Sequence, residues 1–334
     1  MFGFFCFFPY NIGMEQKPLS EEELKARRLS EAGVTYSLAS LFPVVLSLIL
    51  SIIILGISNG KEEGWYAKTD WYRYLSYLLP QLCLAGASAV FFARSKVSVK
   101  RTYRSCKWYF YLIAVGLQFG LMFSLSALNG YFTDFLGLFG YKVQGVPLPA
   151  LGGWNILPAL LVIAVLPAVL EETVFRGILS RQMTESGWGT VATVLISGAL
   201  FSLFHHNPEQ TIYQFICGMC FALLALRAGS ILPGAVAHFL NNATVLVLTA
   251  IFSPSGADIA FTDVMPLPAF ITLCVFSALA LAGTLVFLVF FCKRKGEGKG
   301  VRYAKPFFLA SAVGIGLCAL QWILILLQGF GVAV

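Results

Sequence analysis

The chain is broken into blocks of about 20 consecutive apolar residues, and a helix of that length crosses a hydrocarbon layer of about 30 Å. Backbone polar groups in lipid must be satisfied within the segment itself, so each block reads as a helix. Composition agrees. Of 334 residues, 58% are hydrophobic and only 12% charged, about half the charged share of a soluble domain. Nine candidate spans follow, at roughly 36–58, 74–93, 108–128, 154–180, 190–205, 210–226, 231–253, 267–292 and 306–330. The expected fold is an all-α, polytopic transmembrane helical bundle of eight to nine spans.

The net charge of +7 does not point to nucleic acid, because the basic residues sit between the apolar blocks. Lys17, Lys25, Arg27 and Arg28 precede the first span. Arg94, Lys96, Lys100, Arg101, Arg104 and Lys107 follow the second, and Lys293, Arg294, Lys295, Lys299, Arg302 and Lys305 follow the eighth. Arg181 and Arg227 fall in the other even-numbered connections, while the opposite side receives Lys61, Lys68, Arg73 and Lys142. This asymmetry places the N-terminus in the cytosol and the C-terminus outside; for a bacterial source the expected membrane is the plasma membrane. Four regions are expected: a cytosolic leader (1–35), N-terminal transmembrane helices (36–150), an intramembrane core (151–253) and C-terminal transmembrane helices (254–334). Segments 59–73 and 129–153, rich in Trp, Tyr, Gly and Pro, read as interfacial anchors, and 253–266, with Asp258 and Asp263, as an outer loop. Met1–Tyr10 is apolar but lacks the basic start of a signal peptide, so Met14 is the expected translation start. Most of the eight cysteines lie in apolar segments, and Cys217 and Cys220, a CxxC on an apolar helix, read as small packing residues.

Ionisable groups at membrane depth are costly and mark function by default. Glu171, Glu172 and Arg176 stand in LPAVLEETVFRGIL, and all three histidines follow within 205–238. Glu172 and Arg176 are four apart and share a helix face, as do Phe201 and His205, and His238 and Asn242. Glu171 lies about 100° around the helix from Glu172, free to address a cavity. A carboxylate and an imidazole sharing a water can deprotonate it for attack on a carbonyl. A second imidazole and a carboxamide can donate to the developing oxyanion. No Ser or Cys is placed as a nucleophile beside these histidines, and the HExxH zinc signature is absent. A divalent metal such as zinc, held by Glu171, His205 and His238, is the alternative that these ligand types leave open.

The ordered blocks EExxxR (Glu171, Glu172, Arg176), FxxxH (Phe201, His205) and HxxxN (His238, Asn242) resemble the CAAX protease and bacteriocin-processing family. This is also called the Abi or type II CAAX prenyl endopeptidase family. The resemblance covers roughly 154–250. It implies that Glu171 and His205 activate the hydrolytic water, that His238 and Asn242 stabilise the oxyanion, and that Glu172 and Arg176 hold the geometry. Members are often labelled metallopeptidases, and a metal-free glutamate mechanism is also argued. Eukaryotic members cleave prenylated CAAX tails; many bacterial ones serve bacteriocin maturation or self-immunity. The implied partners are membrane lipids and a membrane-associated peptide or protein substrate, with no nucleic acid.

Rival readings are a transporter relaying protons through Glu and His and a non-catalytic membrane scaffold. His206 and Asn207, beside Pro208, read as a helix end. Asn241, Gln81, Gln118 and Gln214 read as packing residues. One difficulty is geometric. Straight full crossings put Glu171 about 25 Å from the outer surface at 1.5 Å per residue and His205 near that surface. The two meet only if an element around span five is shortened, tilted or displaced, and a turn at Gly187–Trp188–Gly189 inside the membrane is one way.

Overall fold

The computed structural model describes residues 19–62, 64–143, 145, 147–253, 265–292, 298 and 300–332. Met1, Met14, Cys6, Asp258, Asp263, Lys293, Arg294, Lys295 and Lys299 lie outside them. Among the described residues, eight helices are long and apolar enough to cross a membrane: α1 (Glu21–Ile57), α2 (Asp70–Ser95), α4 (Tyr109–Gly137), α5 (Gly153–Glu185), α7 (Thr211–Ala228), α8 (Leu232–Phe252), α9 (Leu267–Phe291) and α10 (Ala304–Gly329). Between them lie the single turn α3 (Val99–Thr102) and the shorter apolar helix α6 (Thr190–Phe204). The protein is an integral membrane helical bundle.

The first helix begins well before the expected 36. Ser20 and Glu23 form a reciprocal capping box at its start, satisfying two otherwise orphaned groups. Leu29, Ala32 and Tyr36 then bury against α5, α6 and α10. Small residues let helices approach closely, as is usual in membranes. On α6 and α7, a Cβ at Gly218 would lie 2.9 Å from the Cα of Gly198, so these backbones are in contact.

Hydrogen bonds and ion pairs gather the basic connections at one end of the bundle. Arg101 pairs with Glu185 at 3.1 Å, Arg181 Nη1 donates to Arg101 O at 2.8 Å, and Trp188 Nε1 donates to Arg302 O at 2.6 Å. At the other end, Arg73 reaches Leu148 O and Tyr74 reaches Asn155 O, both at 3.2 Å. The Gly187–Trp188–Gly189 turn therefore sits with the basic connections, where it bridges to Gly298 and Gly300. The shortening lies instead in α6, whose 15 residues rise about 22 Å, less than the hydrocarbon thickness of about 30 Å. Its far end is recessed. Trp322, seven residues or about 10 Å before the end of α10, donates to Thr211 Oγ1 at 2.8 Å. Tyr141 dips in from the 138–152 loop and donates to Glu209 Oε2 at 2.8 Å. Burial first, then the Glu209 carboxylate, pushes the Tyr141 phenol well above its ordinary pKa.

Helix α5 runs through the centre and is not regular. Leu166–Glu172 is α-helical between π-helical stretches at Leu160–Val165 and Thr173–Ser180. Widened turns of this kind commonly occur at functional sites. Every residue from Thr173 to Ser180 is buried.

Candidate active site

Three elements deliver their polar groups to one depth. Glu171 stands 14 residues from the basic end of α5, about 20 Å, and His205 about 22 Å along α6. Helix α8 starts recessed: Ile231 packs beside Gly177, eight residues inside the end of α5, and His238 is seven residues further on. The simple rise again sums to about 20 Å. His205 Nε2 lies 3.7 Å and His238 Nε2 3.8 Å from Glu171 Oε2. The depth conflict for full crossings is thus resolved by one short helix and one recessed helix start.

The surroundings fix each side chain. Glu172 and Arg176 form a fully buried ion pair at 2.7 Å, and Arg176 Nη2 also donates to Gly218 O at 3.1 Å. The guanidinium lies over the Phe201 ring, 4.3 Å from its centroid, a geometry favourable for cation–π attraction. The same Glu172 Oε1 accepts from His238 Nδ1 at 3.2 Å. His205 Nδ1 donates to Phe201 O at 2.8 Å. Both imidazoles therefore have Nδ1 occupied and turn Nε2 towards Glu171. Which ring nitrogen carries the proton is set by the bond the other makes. Gly234 sits where a Cβ would come within 2.7 Å of Glu172 Oε2, so the α5–α8 approach that brings His238 in requires a residue without one. Asn242 Nδ2 donates to Ile163 O at 2.9 Å, in the first π-helical stretch.

Glu171, Phe201, His205, His238 and Asn242 line one cavity of about 900 Å³. Its wall continues with the apolar Met122, Val245, Leu246, Leu267 and Phe270 and with the polar Ser126, Asn129, Asp134 and Gln210. Glu171 Oε2 is buried and has no hydrogen-bond partner among the described residues.

Of the groups read from sequence as packing residues, Gln81, Gln214 and Asn241 line this cavity. Gln81, on α2, donates from Nε2 to Glu171 Oε1 at 3.2 Å. Asn241 lines the cavity, accepts from Gln118 and Tyr213 at 2.7 and 2.8 Å, and donates to Asn242 Oδ1 at 2.9 Å. A lone amide in an apolar span carries no spacing signal that would separate this use from ordinary interhelical bonding. His206 and Asn207 build the turn after α6, where His206 has φ +49° and Asn207 Oδ1 accepts from Gln210 N at 3.0 Å. Cys217 borders the cavity and Cys220 is buried beside it; both are free thiols.

A hydrogen bond to a charged carboxylate contributes about 1.5–3 kcal/mol. Replacing Gln81 by Leu leaves Glu171 Oε1 without this donor and is expected to lower kcat about tenfold and also to lower thermal stability by about 1–3 kcal/mol. Steady-state kinetics beside a thermal melt checks this, and a tenfold loss restored by Gln81→Asn is not expected, because the shorter amide does not reach.

Glu171, His205 and His238 are ligand types that zinc accepts. Among the described residues, however, no three His, Cys, Asp or Glu side chains are arranged as a metal-ligand set.

Residues 153–244 match the family model described as "Type II CAAX prenyl endopeptidase Rce1-like". No curated protein and no solved structure matches the chain. The matched segment starts with α5, ends within α8, and contains Glu171, Glu172, Arg176, His205, His238 and Asn242. Residues 153–244 are an Rce1-like domain of the CAAX protease and bacteriocin-processing family, carried within a helical membrane bundle.

Proposed function

We propose that the chain is an intramembrane endopeptidase that hydrolyses a peptide bond of a prenylated, membrane-associated substrate with water activated by Glu171 and His205. One observation carries the reading: the unpartnered Glu171 Oε2 faces His205 Nε2 and His238 Nε2 at 3.7 and 3.8 Å. These separations are too long for direct hydrogen bonds, and a water drawn in by all three atoms would join them.

In this mechanism Glu171 takes a proton from the water as its oxygen attacks the scissile carbonyl. His205, oriented by Phe201 O, accepts from the same water through Nε2. The carbonyl oxygen becomes an oxyanion, stabilised by His238 through Nε2–H when the ring is protonated and by the amide of Asn242. The carboxylate of Glu172 supports the charged His238, and Arg176 keeps Glu172 in place. The C–N bond then breaks, the proton passes to the departing nitrogen, and the products are a carboxylate and an amine. No step needs a residue outside this set.

The apolar part of the cavity wall suits a hydrocarbon chain attached near the cleaved bond. The basic end of the bundle faces the cytosol in this reading, with the N-terminus on that side.

The test uses purified protein in a neutral detergent with a farnesylated peptide, the same peptide unmodified, and an apolar peptide. Cleavage of the farnesylated peptide at least about tenfold faster than the unmodified one, roughly 1.4 kcal/mol of discrimination, is the expected result. Equal rates reject the prenyl preference, and no cleavage of any of the three rejects the peptidase. Turnover after chelation and dialysis is expected to be unchanged. A loss that added zinc reverses would put a metal at Glu171, His205 and His238.

A further inference from the structure

The carboxamide of Asn242 is held from both ends by groups that the proposed mechanism does not use. On one side its Nδ2 donates to Ile163 O at 2.9 Å. A helical carbonyl ordinarily accepts from the N–H four residues on. Four residues after Ile163 stands Pro167, which has no N–H to give, so this carbonyl can turn to a side chain. A carbonyl only accepts, and the end of the Asn242 carboxamide that faces it must therefore be the nitrogen.

The rest of the row follows from that end. Asn242 Oδ1 faces Asn241, whose Nδ2 donates to it at 2.9 Å. With its nitrogen committed, Asn241 turns Oδ1 the other way, onto two donors. Gln118 Nε2 on α4 reaches it at 2.7 Å and the Tyr213 hydroxyl on α7 at 2.8 Å. Both acceptor positions of that oxygen are then filled. Turning either asparagine end for end would set oxygen against oxygen at 2.9 Å. A buried polar row satisfied in this way specifies one arrangement, and this one ties together α4, α5, α7 and α8. The Asn242 nitrogen carries two hydrogens. Ile163 O takes one, Nδ2 makes no second hydrogen bond among the described residues, and Asn242 lines the large cavity.

We propose that Gln118, Tyr213 and Asn241 are positioning residues that act through Asn242, holding its carboxamide so that the second N–H is offered to the developing oxyanion. The proposal rests on the peptidase reading above, in which Asn242 is an oxyanion donor. A donor fixed before the reaction needs no reorganisation while charge develops. Without the row, Asn242 Oδ1 has no donor, and of these contacts only Ile163 O resists an amide turned with its oxygen towards the oxyanion.

The test compares wild type, Q118M/Y213F, Asn242→Ala and the triple variant, as full chains in neutral detergent, on the farnesylated peptide. Q118M/Y213F is expected to lower kcat about tenfold, part of the roughly 10²–10³-fold that one oxyanion donor supplies, with KM within about twofold. In the Asn242→Ala background the same pair is expected to cost less than about twofold, because the donor it orients is gone. Thermal melts show whether each variant is folded. Should Q118M/Y213F not fold, Y213F alone replaces it, with an expected loss of about threefold. Ser124→Ala, which removes a hydroxyl that donates to Gly120 O on α4, is the control and is expected to keep wild-type kcat. A second readout needs no turnover. In protein labelled with nitrogen-15 asparagine, the side-chain signals of Asn242 are those missing from Asn242→Ala. They are expected to shift or broaden in Q118M/Y213F and to stay in place in Ser124→Ala. If the wild type cleaves nothing, the peptidase reading fails and this spectrum decides whether the row holds Asn242. Unmoved Asn242 signals in Q118M/Y213F overturn the proposal. So does a change in kcat of equal size with and without Asn242, which is what a merely structural role gives.

Discussion

Replacing Glu171 by Gln is expected to lower kcat by about 10²–10⁴-fold, the usual contribution of a general base, while leaving the protein folded. The change is nearly isosteric. Its Oε1 can still accept from Gln81 Nε2, which lies at 3.2 Å in the wild type. Oε2 makes no hydrogen bond among the described residues, so the amide that replaces it breaks no contact that holds the helices together. It also places a donor opposite His205 Nε2 and His238 Nε2, where a water proton would otherwise sit. His205→Ala is expected to act similarly, and the double variant to cost little more than the worse single one, because groups serving one step are not additive. Steady-state kinetics with a thermal melt of each variant is the measurement. A kcat within threefold of wild type for Glu171→Gln would remove Glu171 from the chemistry.

Arg176→Met is expected to act on stability instead. Both partners of the Glu172–Arg176 pair have fully buried side chains, and removing one leaves an uncompensated carboxylate, at a cost of about 3–5 kcal/mol. The stacking of the guanidinium on Phe201 is lost as well. The half-life of the folded protein at a fixed temperature in detergent is the suitable readout, because membrane proteins of this size often unfold irreversibly. The paired replacement Glu172→Leu/Arg176→Met removes both charges and is expected to recover most of that half-life, since apolar residues of similar size often replace a buried pair without loss. It is not expected to recover turnover, because His238 Nδ1 then has no carboxylate at 3.2 Å. A pair that served only to hold helices together would give back both.

The membrane-spanning helices were legible in the sequence because each carries its own signal, a run of apolar residues bounded by charge. So were Glu171, Glu172, Arg176, His205, His238 and Asn242, since an ionisable group in such a run stands out and the i, i+4 spacing assigns a face. What was not legible depends on depth. Whether Thr190–Phe204 crosses fully is decided by where its ends are anchored, and those anchors, Trp188 on Arg302 O and Trp322 on Thr211, join residues over 100 positions apart. The widened turns of α5 leave no mark in composition. Gln81 was passed over for a related reason. It lies 90 positions from Glu171, outside the matched segment, and a neutral amide in an apolar helix looks the same whether it bonds a neighbouring backbone or a carboxylate of the candidate site.

The central claim is that Glu171 and His205 act together on one water. It is tested most directly by cleaving a farnesylated peptide with wild type, Glu171→Ala and His205→Ala, all confirmed folded, in water enriched in oxygen-18. The expected result is one heavy oxygen in the new carboxylate with the wild type, and loss of cleavage by at least about 10²-fold in each variant. Equal cleavage by all three proteins would contradict the account.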